Sequence, residues 1–100
     1  MSRSVKVFLY GWYTGLLVED RYGYTFEYDD NYNGPPLSIS LPVVKQKYHS
    51  KELHPFFRSL APEGWLLKQY SKHQKIDERD TFQMLCNNGK DMIGAVTFEL

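Results

Sequence analysis

The sequence predicts an α+β fold, an antiparallel sheet with two or three helices packed on one side. Three observations predict it. The first third of the chain alternates with period two and is rich in β-branched and aromatic residues. Two short turn-like connections break that third into an N-terminal meander. From Leu53 the apolar spacing changes to three and four, and a second strand-like run closes the chain.

Taken in order, Val5, Val7 and Leu9 alternate with Lys6, Phe8 and Tyr10, which predicts a first strand over Val5–Tyr10. Gly11-Trp12 is a turn candidate. Tyr13–Glu19 reads as a second strand, with Gly15 marking a bulge or a close backbone approach. Asp20-Arg21-Tyr22-Gly23 is a second turn, and Tyr24–Tyr28 alternates cleanly as a third strand. Asp29–Pro36 is a loop, because proline after glycine blocks both helix and central strand. Leu37, Ile39 and Leu41 alternate with serines, so a strand over Leu37–Leu41 is expected, closed by Pro42. Lys45, Gln46 and Lys47 make Val43–Ser50 an exposed connector. Ile93–Leu100 is a last strand, and the sheet is expected to gain Leu37–Leu41 and Val96–Leu100.

Pro55 suits a first helical position, where its missing N–H costs nothing. Phe56 and Leu60 lie four apart, and Pro62 stops this short turn. Glu63 to about Lys75 is the longest helix candidate, with the Glu63 charge suited to the helix dipole. A further helix spans Asp77–Asn88, with Asp77 as the expected cap and Asp80 in a capping-box-like place. Phe82, Leu85 and Cys86 share one face of it, and Asn88-Gly89 is a C-terminal stop.

One hundred residues make one domain, spanning 1–100. Aromatics are 16% of the chain, eight of them tyrosines, which suits a core or interface with wet edges. Twelve basic residues balance twelve acidic ones, against the basic excess of a nucleic-acid binder. Cys86 is the single cysteine, so no intramolecular disulfide forms, and a reducing, cytoplasmic setting follows. The N-terminal apolar run is too short for a membrane span and lacks a secretory cleavage pattern.

The stretch His54–Trp65 combines three aromatics, two prolines and a glycine. Its Pro62–Gly64 corner sets where Trp65 is delivered. At 100° steps, Leu66, Leu67 and Tyr70 gather on the expected buried face. Trp65 falls opposite, beside Lys68, Gln69 and Lys72. Two readings stand: Trp65 folds back over the corner, or it is an exposed anchor for a partner, with Lys68, Lys72 and Lys75 as a basic rim.

Catalytic and cofactor signatures fail. Asp29-Asp30-Asn31-Tyr32-Asn33-Gly34 begins like a calcium loop, but its twelfth position is Ser40 and Pro35-Pro36 interrupt it. Gly89-Lys90 lacks the glycines and the following Ser or Thr of a phosphate loop. His49, His54, His73 and Cys86 do not fall at metal-ligand spacings. His54 reads as a cap before Pro55, and Cys86 as a small core residue. No cofactor and no enzymatic activity are expected.

Four segments, in order, resemble the N-terminal subdomain of HipA-type serine/threonine kinases: Pro36–Pro42, Phe56-Phe57, Leu60-Ala61-Pro62-Glu63-Gly64-Trp65 and Gly89–Val96. Val7–Tyr10 through Gly15-Leu16-Leu17 fits its opening hairpin. Ala61 stands where that family more often has a larger apolar residue. HipA proteins continue into a kinase core that this sequence does not contain, and a free-standing copy resembles the HipS antitoxins of bacterial three-component HipBST toxin–antitoxin systems. The resemblance implies that a HipT-like kinase toxin is bound and neutralised. It also implies a ternary complex with a HipB-like DNA-binding protein. Trp65, Glu63, Gly64, Lys68 and Lys72 are the residues expected at that contact. The alternatives are an activating N-terminal piece of a split kinase, or a scaffold tethering kinase to HipB.

Overall fold

Strands β1 (Arg3–Leu9), β2 (Trp12–Asp20) and β3 (Gly23–Tyr28) form the predicted meander. The computed structural model describes residues 2–91 and 94–100, the side chain of Asp91 excepted. The strand over Ile93–Leu100 is observed as β5 (Val96–Glu99), and Ile93 lies outside the described residues. With β4 (Lys47–Ser50) the sheet has order β4-β3-β2-β1-β5 and is antiparallel throughout. Among the described residues three α-helices follow the meander: α1 (Pro55–Ser59), α2 (Gly64–Gln74) and α3 (Thr81–Asn88). Among the described residues, no helix is long and apolar enough to cross a membrane.

Period-two alternation decides which face is covered. Val5, Val7, Leu9, Leu17, Phe26, Tyr28, Val96 and Phe98 are buried, against Phe57 of α1 and Phe82, Leu85 and Cys86 of α3. Phe57 sits between Phe26 and Phe98, with ring centroids 5.3 and 6.2 Å away. The register of β1 and β2 slips by one residue after the Val7–Gly15 pair, so Gly15 does mark a bulge. A Cβ there would also strike the backbone of Glu27.

The expected strand over Leu37–Leu41 is absent. Leu37 and Leu41 are buried, but Ile39 is 98% exposed, so the three do not share a face. The reason lies in where the backbone bonds go. The buried Tyr28 hydroxyl accepts from Leu37 N at 3.0 Å and donates to Leu41 O at 2.5 Å. Leu41 N bonds back to Ser38 O, and the Ser38 hydroxyl accepts from Ser40 N. These local bonds compete with a ladder, and Pro36 and Pro42 remove two donors that a ladder needs. The sheet instead recruits Lys47–Ser50, within the segment expected to be a connector. Its exposed Lys47 and His49 suit an edge strand.

The third helix starts later than expected. Its cap is Asp80, whose carboxylate accepts from Gln83 N at 3.2 Å. Asp77 closes a separate turn onto Arg79 N at 2.8 Å. Gly89 follows α3 in a right-handed conformation, φ −62°, so it does not end the helix by a left-handed turn. Its need is for space, since a Cβ there would run into Phe98. Arg3 fastens β1 to α3: its guanidinium bonds Asp80 at 3.0 Å and Glu19 at 2.6 Å and lies 5.0 Å from the Phe82 ring.

Candidate partner-binding surface

The route into α2 is built residue by residue. His54 caps α1, its Nδ1 accepting from Phe56 N at 3.0 Å. Leu60 N and Ala61 N bond back to Phe57 O and Arg58 O, closing the turn. Pro62 prevents its continuation. Glu63 is then extended, at φ −129° and ψ 166°. Gly64 takes φ +58°, a left-handed value that suits glycine and penalises a side chain. That reversal starts α2 and places Trp65 on its outer side.

Trp65 is 73% exposed, as the helical phase predicts. The apolar face of α2 is weaker than expected, however. Leu66 is 42% exposed and the helix contains no buried residue, while Leu67 and Tyr70 are half-buried. Lys68 and Lys72 are exposed together on one side of the Trp65 phase. Glu63 occupies the cap position and is exposed, but its side chain makes no capping bond. The five residues singled out from sequence therefore sit together at the start and along the outer side of one helix.

The other end of α2 is held. Lys75 turns left-handed at φ 57°, and Ser71 O accepts from Ile76 N at 3.1 Å. Ile76 is buried. Gln74 and the buried Asn88 exchange two side-chain hydrogen bonds. The helix is thus anchored at its C-terminal end and carries Trp65 and Leu66 at its N-terminal end.

A second surface escapes the sequence reading. The β1–β2 turn and the loop over residues 29–36 enclose a cleft of about 650 Å³ lined by Tyr10, Trp12, Tyr13, Tyr32, Pro35 and Asp29, among others. The available signal was Leu9-Tyr10-Gly11-Trp12 itself. Leu9 pairs with Trp12, so Tyr10 and Gly11 form a two-residue hairpin turn, both at positive φ. Asn or Asp is the usual companion of Gly there, and a tyrosine is an outlier.

Comparison with known proteins agrees with this architecture. The family model for the HipA N-terminal domain matches residues 5–99. An uncharacterized protein of Haemophilus influenzae is 53% identical over 99 residues, covering 99% of this chain and 93% of that protein. The putative kinase Y4mE of Sinorhizobium fredii is 29% identical over 99 residues, covering 94% of this chain but 24% of the kinase. A solved structure described as the N-terminal domain of HipA toxin matches with a TM-score of 0.81 and 49% identity, over 97% of this chain and 91% of that one. With the sheet, the three helices and the Pro62–Trp65 corner all in place, the chain belongs to the HipA N-terminal domain family.

Proposed function

We propose that the chain acts as one domain over residues 1–100 and is an antitoxin that binds and neutralises a HipT-like serine/threonine kinase toxin in the bacterial cytoplasm. The observation that carries this reading is Trp65, 73% exposed on a helix with no buried residue. Folding leaves a large aromatic and the adjacent Leu66 outside, and burial against a partner is what recovers that apolar area. The left-handed Gly64 fixes the direction of the helix start, which lowers the ordering cost of binding. Lys68 and Lys72 lie beside the anchor on one side and favour an acidic rim on the kinase. Glu63 sets the extended approach to the helix. The role is non-catalytic, and a HipB-like DNA-binding protein completes a ternary complex.

The test adds purified chain to a HipT-like kinase and follows phosphorylation. Loss of phosphorylation at about one equivalent supports the reading. Trp65→Ala should stay folded, because the side chain is exposed, and should bind about 30-fold or more weakly. A folded Trp65→Ala chain that neutralises normally removes Trp65 from the contact. A second reading is favoured by the match to 24% of the putative kinase Y4mE. In it, the domain is a piece of a split kinase and supports activity, and added chain would raise phosphorylation.

A further inference from the structure

We propose that the cleft between the β1–β2 turn and the loop over residues 29–36 receives an arginine side chain of a protein partner. It lies away from the anchor in sequence and uses no residue of α2, so it stands or falls independently of Trp65.

The lining defines the occupant. Tyr10 and Trp12 are 78% and 75% exposed, and Tyr13 and Tyr32 add two further rings. Aromatic faces carry negative potential and attract cations. Asp29 adds a formal negative charge, and among the described lining residues there is no Lys, Arg or His to neutralise it. The field is felt locally: burial and then the charge of Asp29 push the Tyr13 phenol above its ordinary pKa. A purely apolar occupant would strip water from the Asp29 carboxylate without replacing it. An acidic occupant would be repelled. Arginine fits better than lysine, because its planar guanidinium stacks on rings while its fork meets a carboxylate.

The walls are already set. Tyr32 stacks on Tyr28 with centroids 5.7 Å apart and planes 8° from parallel, and its hydroxyl donates to Pro35 O at 2.5 Å. Tyr13 packs edge-on to Phe8 at 5.7 Å. Asp29 is tied down through its own N–H to Thr14 O at 2.8 Å, and its Oδ2 accepts from Asn31 N at 3.2 Å. Tyr10 sits at φ 50°, a left-handed conformation that is strained for a tyrosine. A local backbone cost that leaves a ring exposed beside a cleft marks a position kept for contact.

The experiment titrates acetyl-Gly-Arg-Gly-amide into the isotopically labelled chain and follows amide and indole NMR signals. A Trp65→Phe chain leaves Trp12 as the single indole. The arginine peptide should move the Trp12 indole N–H and the amides of Tyr10–Tyr13 and Asn31–Asn33 in a saturable way. The same peptide with citrulline, a neutral isostere of arginine, should bind about fivefold or more weakly. Asp29→Asn can still accept from Asn31 N, and it should weaken the arginine peptide about threefold. Equal affinity for the arginine and citrulline peptides overturns the proposal, as does a response that maps outside the cleft or no response at millimolar peptide.

Discussion

Gln74 and Asn88 exchange their side-chain amides: Gln74 Nε2 donates to Asn88 Oδ1 at 2.7 Å, and Asn88 Nδ2 donates back to Gln74 Oε1 at 3.1 Å. Asn88 Nδ2 also donates to Met84 O at 3.0 Å, so the buried amide is fixed to its own helix before it reaches α2. A helix with no buried side chain needs such a clamp to hold its direction. Asn88→Ala should therefore cost about 1–2 kcal/mol in urea unfolding, and Gln74→Ala about as much, since it leaves the buried Asn88 Oδ1 without its partner. Hydrogen exchange separates a clamp from a general packing residue. Asn88→Ala should speed exchange in α2 well beyond any change in β1–β3. A uniform acceleration across the sheet would remove the clamp.

Gly64 tests the corner. Nothing lies within 4 Å of a Cβ built there, so the penalty for Gly64→Ala is backbone strain at φ +58° and no clash. That strain is about 1–2 kcal/mol. Gly64→Asn should recover part of it, because asparagine tolerates the left-handed region. The order of stability expected from thermal melts is Gly, then Asn, then Ala. If binding depends on how the corner aims Trp65, kinase affinity follows the same order. Equal stability of all three would mean that the corner relaxes without cost.

These two sites show what could be read from sequence and what could not. The meander, the Gly15 bulge, the Pro55 helix and the outward phase of Trp65 were legible because each follows from local chemistry: alternation, backbone space, a missing N–H and helical angle. The strand error at Leu37–Leu41 has the opposite origin. Its alternation is real, but a buried phenol nine residues upstream of Leu37 takes the backbone groups that a strand would use. No pattern within five residues reports that bond. The start of α3 was misplaced because two aspartates, Asp77 and Asp80, both offer a cap. The partner Gln83, three residues after Asp80, was the better signal. On the candidate surface, the exposed side of α2 could be derived, while its thin attachment could not. Leu66, Leu67 and Tyr70 look like a buried face until the fold shows how little covers them. The aromatic cleft joins residues about twenty apart, and periodicity cannot bring those together.

His54 makes α1 sensitive to acid. Its neutral Nδ1 accepts the Phe56 N–H, and burial lowers its pKa from the ordinary 6.5. Protonation removes that acceptor. Because the folded pKa is depressed, the unfolded chain takes up the proton first as pH falls. The stabilisation is fully present above pH 6.5 and is lost as pH falls through the lower folded value. His54→Asn keeps a cap acceptor without titrating, so its stability should be flatter than wild type between about pH 7 and 5. Parallel curves for the two chains would exclude His54 as the source of any slope.

Cys86 makes the complementary prediction at alkaline pH. It is buried beside Phe82 and Leu85, and that burial pushes its thiol from the ordinary 9.0 up to about 11. The thiolate is the reactive form, so the native chain should resist alkylation at about pH 8 and react once urea exposes the residue. The same shift links to stability. The unfolded chain loses its thiol proton first as pH rises, so the folded state loses stability from pH 9 upward until its own thiol ionises near 11. Tyr24 acts in the same direction a little higher, its phenol pushed up to about 12 by burial and then by the neighbouring Glu19 carboxylate. Cys86→Ala should start about 1 kcal/mol less stable because it leaves a small void. It should also lose the decline between pH 9 and 10 while keeping the later decline due to Tyr24. Rapid alkylation of the native chain at a rate independent of urea would mean that the α3 face opens without unfolding, and the assignment of Cys86 to the core would fall with it.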